Sequence, residues 1–390
     1  YAEAHANLGT ILIDLDKLQE AELSILKAIE LKPDFANAYF NLFGHYEQIN
    51  NLKKLKKSLN EFSELEIIKN ELFLFQARLS FRTKEYKTAQ RLINSISTKW
   101  TEKSNHHHKI RFWSYKAFIE DKVENYDLAY SCYKKSQENL DCKNFDKNSY
   151  INYIHSYKKS LINKDININK IDDSLKYYDL AFLIGFPRSG TTLLDTILRS
   201  HPDIEVIEEK PLISNIENLI KEKFNTNLEN IYSLSSNDIM ILRERYFREL
   251  EKYRSKKVNI IIDKLPLHTA SLPLINLLFP SAKIIFTHRH PYDTVLSCFQ
   301  QSFKPNHAMV NFLSLQSSSI MYDQIMEVWD IYKNNLHLDF ITSKYEHLIE
   351  GFEEQTMKIL DFLGVRWNDN MKNYRKTALD RGKINTPSSS

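Results

Sequence analysis

The sequence predicts an α-helical repeat solenoid followed by an α/β domain with a central parallel sheet. Three observations predict it. Residues 1–165 are helical in pattern and partly repeat with a step of 34 residues. Residues 179–390 alternate short apolar runs with stretches of helical spacing. Between the first apolar run and the first of those helices lies a glycine-rich loop, Gly185-Phe186-Pro187-Arg188-Ser189-Gly190.

In the first part, Asn7-Leu8 recurs as Asn41-Leu42 and Ala21 recurs as Ala89, one and two steps apart. Small residues at helix crossings with this period resemble the tetratricopeptide repeat. The first unit, Tyr1 to Asp34, fits it best, with Leu8-Gly9, Ala21, Ala28 and Pro33. A second unit keeps Tyr46 but has Leu55 at the small position; a third has Ala77, Tyr86 and Ala89; a fourth, Phe112 to Lys135, is offset. Stacked repeats make a concave surface suited to a protein or peptide. The chain opens inside a repeat and at Tyr1, which predicts further units upstream. His106-His107-His108 point in different directions on a helix, so a metal is not expected there. The polar stretch 166–178 is the expected junction.

The second part opens with Leu180 to Ile184, a continuous apolar run suited to a strand buried on both faces. Thr191 to Arg199 follows as a helix with Leu193, Leu194, Ile197 and Leu198 on one side, and His201-Pro202-Asp203 ends it. A loop between strand and helix aims backbone N–H groups and the helix dipole at one anion. Gly185-x4-Gly190-Thr191-Thr192 nearly fits the nucleotide P-loop, but Thr191 replaces the lysine that reaches a γ-phosphate. The loop is therefore read as P-loop-like, a cradle for a nucleotide without that phosphate. Helices are expected over 214–221, capped by Ser214, and 238–253, capped by Ser236-Asn237. Further strands are expected over 258–262, 283–287 and 338–342, with a long helix over 309–334 and another from His347 to Gly364. Arg188, Lys264 and Arg289 all fall at C-terminal strand ends, where ligands bind in such sheets.

Composition narrows the classes. A net charge of +3 over 390 residues gives no reason to expect nucleic acid or an anionic membrane as partner. No apolar run reaches the roughly 18 residues of a membrane span. The three cysteines, Cys132, Cys142 and Cys298, fit no metal or redox spacing, which with the absence of a leader suggests reduced thiols and a cytoplasmic protein.

Taken together the motifs resemble a PAPS-dependent sulfotransferase, PAPS being 3′-phosphoadenosine 5′-phosphosulfate. Within that superfamily they are most similar to the tyrosylprotein sulfotransferase group and its repeat-bearing relatives. Pro187-Arg188-Ser189-Gly190-Thr191-Thr192-Leu193 matches the family's 5′-phosphosulfate loop. Arg289 and Ser297, eight residues on, match its 3′-phosphate motif. His201-Pro202-Asp203 and Glu208-Glu209 match the group. The resemblance implies that Pro187, Arg188, Ser189, Gly190, Thr191, Thr192, Arg289, Ser297 and Tyr345 hold PAPS, a co-substrate, without a metal. It implies Glu209 as general base, with Glu208 beside it and Glu205 as a third choice. It implies Lys264 on the bridging oxygen, Arg188 of the loop as a further catalytic residue and Ser388 at the sulfate. It also implies a chain truncated at its C-terminal end, and its animal members are Golgi membrane proteins. The acceptor implied is a protein tyrosine. A carbohydrate or small-molecule hydroxyl, a P-loop kinase-like activity and an inactive repeat scaffold are the alternatives.

Overall fold

A computed structural model describes residues 1–162, 178–224, 226–258 and 260–380, which form two compact units. The first comprises Tyr1–Asp141 with Gln300–Lys304, and the second Cys142–Phe299 with Pro305–Asp380.

The first unit is helical: α1 (Ala2–Asp14), α2 (Leu18–Leu31), α3 (Ala36–Gln48), α4 (Leu52–Glu61), α5 (Lys69–Arg82), α6 (Tyr86–Asn94), α7 (Thr98–Lys103), α8 (His106–Lys122) and α9 (Tyr126–Glu138). The pairs α1–α2, α3–α4, α5–α6 and α8–α9 pack side by side. Each pair turns on one non-glycine residue in the left-handed region: Asp16 (φ 61°), Asn50 (φ 55°), Lys84 (φ 66°) and Glu124 (φ 66°). Such residues are uncommon. Here the next N–H closes a Schellman-type bond to the preceding helix, as Lys17 to Leu12, Asn51 to Tyr46, Glu85 to Ser80 and Asn125 to Glu120. Phe40, Phe43, Phe75, Phe112 and Tyr115 share the core. His108 is part of it, stacked on Phe40 at 3.6 Å, and burial pushes its imidazole down to about 4.

The second unit begins with α10 (Lys147–Ser160) and then runs β1 (Asp179–Gly185), α11 (Thr191–Arg199), β2 (Ile204–Glu208), α12 (Leu212–Lys223), α13 (Ser236–Glu251), β3 (Ile260–Lys264), α14 (Leu272–Leu278), β4 (Lys283–His288), α15 (Pro291–Phe299), α16 (Leu315–Asn335), β5 (Asp339–Lys344), α17 (Tyr345–Glu350), α18 (Phe352–Leu363) and α19 (Tyr374–Asp380). The five strands are parallel in the order β2-β3-β1-β4-β5. Ala181, Leu183, Val206 and Ile262 pack with α11 and α18 on one face. On the other face Phe182 meets Phe279, and Phe286 stacks on Trp329 at 4.0 Å. Both faces are thus covered, as a parallel sheet requires.

Several expectations shift. Strand β2 was not anticipated, and it carries the acidic pair at its end. Helix α12 is capped at Pro211; the Ser214 hydroxyl donates back to the Pro211 carbonyl instead of capping. Helix α13 is capped one residue earlier than expected, by Ser235 in a capping box with Asp238. Helix α16 starts at Ser314 as cap, because a separate short turn takes up Met309–Phe312. The last expected helix is two, broken at Gly351. Helix α10 belongs to the second unit, where Tyr153 and Tyr157 donate to Glu217 of α12. The expected junction lies outside the described residues except for Tyr178.

Candidate active site

Strand β1 ends on Gly185 at φ 152°, paired in register with Thr287 of β4. A Cβ there would run into the Thr287 hydroxyl and lie 2.6 Å from its carbonyl oxygen. The Gly185 N–H donates to Thr269 Oγ1 (3.1 Å), and the Thr269 hydroxyl is 2.8 Å from the Gly185 carbonyl. Ser189 Oγ lies 2.6 Å from both the Phe186 carbonyl and Thr287 Oγ1. The Cys298 thiol donates to the Pro187 carbonyl at 3.3 Å. Gly190 (φ 102°) then delivers the chain into α11 at Thr191 and Thr192. Its missing Cβ makes room for the Tyr345 ring, 2.7 Å from where that atom would stand. The loop is fixed from below by buried hydroxyls, and the Ser189 N–H closes it on the Phe186 carbonyl at 3.2 Å.

Arg188 stands in the loop at φ 68°, and its Nε donates to Ser297 Oγ at 2.9 Å. Arg289 follows β4, with Nη1 3.5 Å from the Arg188 carbonyl and its guanidinium 4.7 Å from the Tyr345 ring centre. Its Nη2 is 3.7 Å from Asp293. Arg289 Nε is buried with no hydrogen-bond partner among the described residues. Burial disfavours the Arg188 cation, and the like charge of Arg289 adds to that. Arg188, Ser297, Arg289 and Tyr345, dispersed over the sequence, thus meet beside the loop. Two cations and an unmatched buried donor are what an anionic ligand completes.

On the other side of β1, Lys264 ends β3 in register with Glu208 of β2. Its side chain is 0% exposed, and Nζ lies 2.7 Å from Glu209 Oε1 and 3.3 Å from Glu208 Oε1. Glu209 sits at φ 50°, its N–H bonded to the Lys264 carbonyl at 2.8 Å. Burial raises the Glu209 carboxyl above its ordinary range; Lys264 opposes this, and Glu208 and Asp195 reinforce it. Glu205, the third choice for a base, is excluded by its surroundings. It accepts from the Ser255 N–H and hydroxyl, the Lys256 N–H and Arg254, which outweigh burial and hold it below the carboxylate range. Ser388 lies outside the described residues. Sequence reasoning missed Thr269 and Thr287. Thr287 is placed by β4 lying beside β1, and Thr269 by the short turn Pro266–Thr269 that follows β3, so no local pattern marks either.

Residues 181–369 match the Sulfotransferase family. Residues 181–369 are a sulfotransferase-family domain. Over 209 residues the chain is 31% identical to an uncharacterized protein of Aquifex aeolicus, covering 50% of this chain and 27% of that protein. Over 223 residues it is 29% identical to the protein-tyrosine sulfotransferase of Drosophila melanogaster, covering 51% of this chain and 42% of that protein. The chain therefore spans less than half the length of either relative. The solved sulfotransferase domain of the Synechococcus PCC 7002 olefin synthase superposes with a TM-score of 0.40 at 21% identity, over 57% of this chain and 86% of that one.

The expectation of a cytoplasmic protein does not stand. The relatives of this sulfotransferase domain include protein-tyrosine sulfotransferases of fly, zebrafish and chicken, the group whose animal members are Golgi membrane enzymes. The thiols mislead for a physical reason. Cys132 and Cys298 are buried, and buried thiols are inert, so their being unpaired carries no information about the compartment. Among the described residues no helix is long and apolar enough to cross a membrane.

Proposed function

We propose that the chain transfers a sulfuryl group from PAPS to a tyrosine hydroxyl of a protein or peptide, with the helical unit, read as a tetratricopeptide-like solenoid, holding that polypeptide. The observation that carries the donor assignment is the pair Arg188 and Arg289, with the buried Arg289 Nε left unmatched beside a loop that lacks the γ-phosphate lysine. PAPS, when bound, supplies the activated sulfuryl group and two separate anionic ends.

The chain's own residues divide the remaining work. The loop N–H groups from Arg188 to Thr192, with Pro187 and Ser189 shaping the turn, hold one anionic end; Arg289 and Ser297 hold the other, with Tyr345 packed between Gly190 and Arg289. Glu209 takes the proton of the acceptor hydroxyl. A phenol titrates near ~10, and burial lifts the Glu209 carboxyl towards it, which improves the match between base and acid. Lys264 fixes the Glu209 carboxylate by a charge-assisted bond and places a cation at the reacting centre. The identities of the protein-tyrosine sulfotransferase relatives support tyrosine over a sugar hydroxyl as acceptor.

Calorimetric titration with 3′-phosphoadenosine 5′-phosphate tests the donor site. Tight binding to the wild type that Arg289→Ala abolishes and ATP does not reproduce is the expected result. Equal binding of ATP would instead indicate a kinase-like site. Transfer of labelled sulfate to tyrosine peptides, compared with sugars and simple alcohols, then tests the acceptor.

A further inference from the structure

Strand β3 ends on two ionisable residues, and strand alternation sends their side chains to opposite faces of the sheet. Lys264 turns to the acids that end β2. Asp263 turns the other way, towards α13, where the Tyr246 hydroxyl donates to its Oδ2 at 2.8 Å. Its side chain is 0% exposed, and Oδ1 has no hydrogen-bond partner among the described residues. Facing that oxygen at 4.0 Å is Nδ1 of His268, buried and equally unmatched. Each of these atoms destabilises the fold when left alone, and a single proton between them satisfies both.

The surroundings decide where that proton sits. Tyr246 and His268 are the titratable groups that face Asp263. Phe182 of β1 and Ile207 of β2 flank it in register, and Phe279, which follows α14, packs on both Phe182 and Tyr246. Burial pushes the Asp263 carboxyl up to about 7, with the Tyr246 hydrogen bond opposing, and pushes the His268 imidazole down to about 3. Between those values the acid keeps its proton and the ring stays neutral, so Nδ1 is free to accept when the ring's own proton is on Nε2.

The pair also reaches the loop. His268 immediately precedes Thr269 in the turn Pro266–Thr269. Thr269 Oγ1 accepts from the Gly185 N–H at 3.1 Å and lies 2.8 Å from the Gly185 carbonyl. A displacement of the His268 ring is therefore passed one residue along to the hydroxyl that sets the Gly185 peptide.

We infer that Asp263 and His268 share one proton, donated from Asp263 Oδ1 to His268 Nδ1, and that this bond positions Thr269 under the glycine loop. While Asp263 is protonated, the O–H···N bond closes the gap between the two side chains. When the proton leaves to solvent, two lone pairs face each other, and the ring turns away or changes tautomer. Asp263 and His268 are thus positioning residues for donor binding, and the setting of the loop loosens as pH rises. The inference deepens the donor-site reading, on which its ligand measurement rests.

The test follows the whole chain, carrying isotope-labelled histidine and glycine, by NMR across neutral pH. His268 is assigned by the signals missing from His268→Gln, and Gly185 by the shift that Thr269→Ser causes. On the acid side His268 should be neutral, with its proton on Nε2 and Nδ1 accepting a hydrogen bond. As pH rises, the His268 and Gly185 signals should move with one common midpoint. Asp263→Asn, whose amide donates to Nδ1 at every pH, should hold both at their acid-side positions. A cationic His268 on the acid side, signals that move in Asp263→Asn as they do in the wild type, or a Gly185 signal that ignores the His268 transition overturns the inference. Calorimetric titration with 3′-phosphoadenosine 5′-phosphate at about pH 6 and about pH 8 reads the consequence for the ligand. The nucleotide titrates too, so Asp263→Asn supplies the reference, and relative to it the wild type should lose affinity about tenfold on the alkaline side. Equal pH dependence in the two chains overturns the coupling to donor binding and leaves the sulfotransferase reading standing. Nucleotide bound by neither chain, with the common NMR midpoint present, refutes the donor reading and supports the shared proton.

Discussion

Lys264→Met is the sharpest perturbation of the site, because it keeps side-chain volume and deletes only the ammonium. Lys264 is fully excluded from solvent, 2.7 Å from Glu209 and 3.3 Å from Glu208. At an effective dielectric of about 20, those two attractions amount to about 6 and about 5 kcal/mol, against a desolvation cost of several kcal/mol per ion. Removing one partner leaves the desolvation of the carboxylates uncompensated and sets two like charges side by side. The net loss expected is about 3–5 kcal/mol. Urea unfolding at neutral pH should show a lower midpoint with an unchanged slope. Adding Glu209→Gln removes the stranded charge and should restore about 1–3 kcal/mol. Glu209 is already raised by burial, and losing Lys264 raises it further. A carboxyl whose folded value is raised stabilises the fold below the unfolded carboxylate range and loses that contribution as pH climbs through the folded value. The deficit of Lys264→Met should therefore narrow as the solution is acidified. A single variant within about 0.5 kcal/mol of wild type, or a double variant no more stable than the single, would refute the idea that the buried pair is energetically coupled.

Three further perturbations probe the scaffold around that pair. Gly185→Ala puts a Cβ 2.6 Å from the Thr287 carbonyl at a backbone angle that side chains rarely adopt, so a loss of about 2–6 kcal/mol is expected in thermal or chemical unfolding; near-neutral stability would mean that β1 and β4 can separate there. Thr269→Val removes the hydroxyl under the Gly185 peptide at nearly constant volume. It should weaken 3′-phosphoadenosine 5′-phosphate by about tenfold with the fold retained, and Thr269→Ser should recover most of that; unchanged affinity in the valine variant would show that the loop is set without it. Asp263, which accepts from the Tyr246 hydroxyl and lies 4.0 Å from the His268 ring, is pushed up to about 7 by burial, with the Tyr246 hydrogen bond opposing. Its contribution is present below the ordinary carboxylate range and is lost as pH rises towards 7, a change on the order of 4 kcal/mol. Asp263→Asn should abolish that decline in stability profiles, and a profile unaltered by the substitution would show that Asp263 does not titrate there.

What was legible in the sequence had a local physical cause. Strand β1 shows as a continuous apolar run, α11 as a 3.6-residue stripe, and the loop between them as glycines where the backbone takes positive φ. Arg289 was readable because an apolar run delivers it to a strand end. Strand β2 was not readable. Ile204-Glu205-Val206-Ile207-Glu208 carries two acids among five residues. Glu205 is tolerated there only because Arg254, Ser255 and Lys256, some fifty residues on, saturate it. The turns at Asp16, Asn50 and Lys84 obey the same 34-residue step as the helices, yet three different residue types fill one left-handed position, so identity hides the regularity. The burial of Lys264 is illegible for the same reason. A lysine at a strand end is ordinarily a surface residue, and only β2 in parallel register with β3 makes this one an interior cation.

Missing β2 also concealed how the sheet order apportions the chemistry. In the order β2-β3-β1-β4-β5, the acids end β2, the buried lysine ends β3, the glycine loop follows β1 and Arg289 follows β4. With about 4.8 Å between neighbouring strands, β2 and β4 stand roughly 14 Å apart. Glu209 and Arg289 therefore belong to opposite flanks of the loop, and no side-chain contact joins them among the described residues. A ligand that engages both must lie across the end of β1, one anionic end on Arg289 and the reacting end towards Lys264 and Glu209. That span suits a nucleotide with two separated anionic groups better than a single phosphate. It also makes the two flanks energetically separable: substitutions at Arg289 should change donor affinity while leaving the coupling between Lys264 and Glu209 intact.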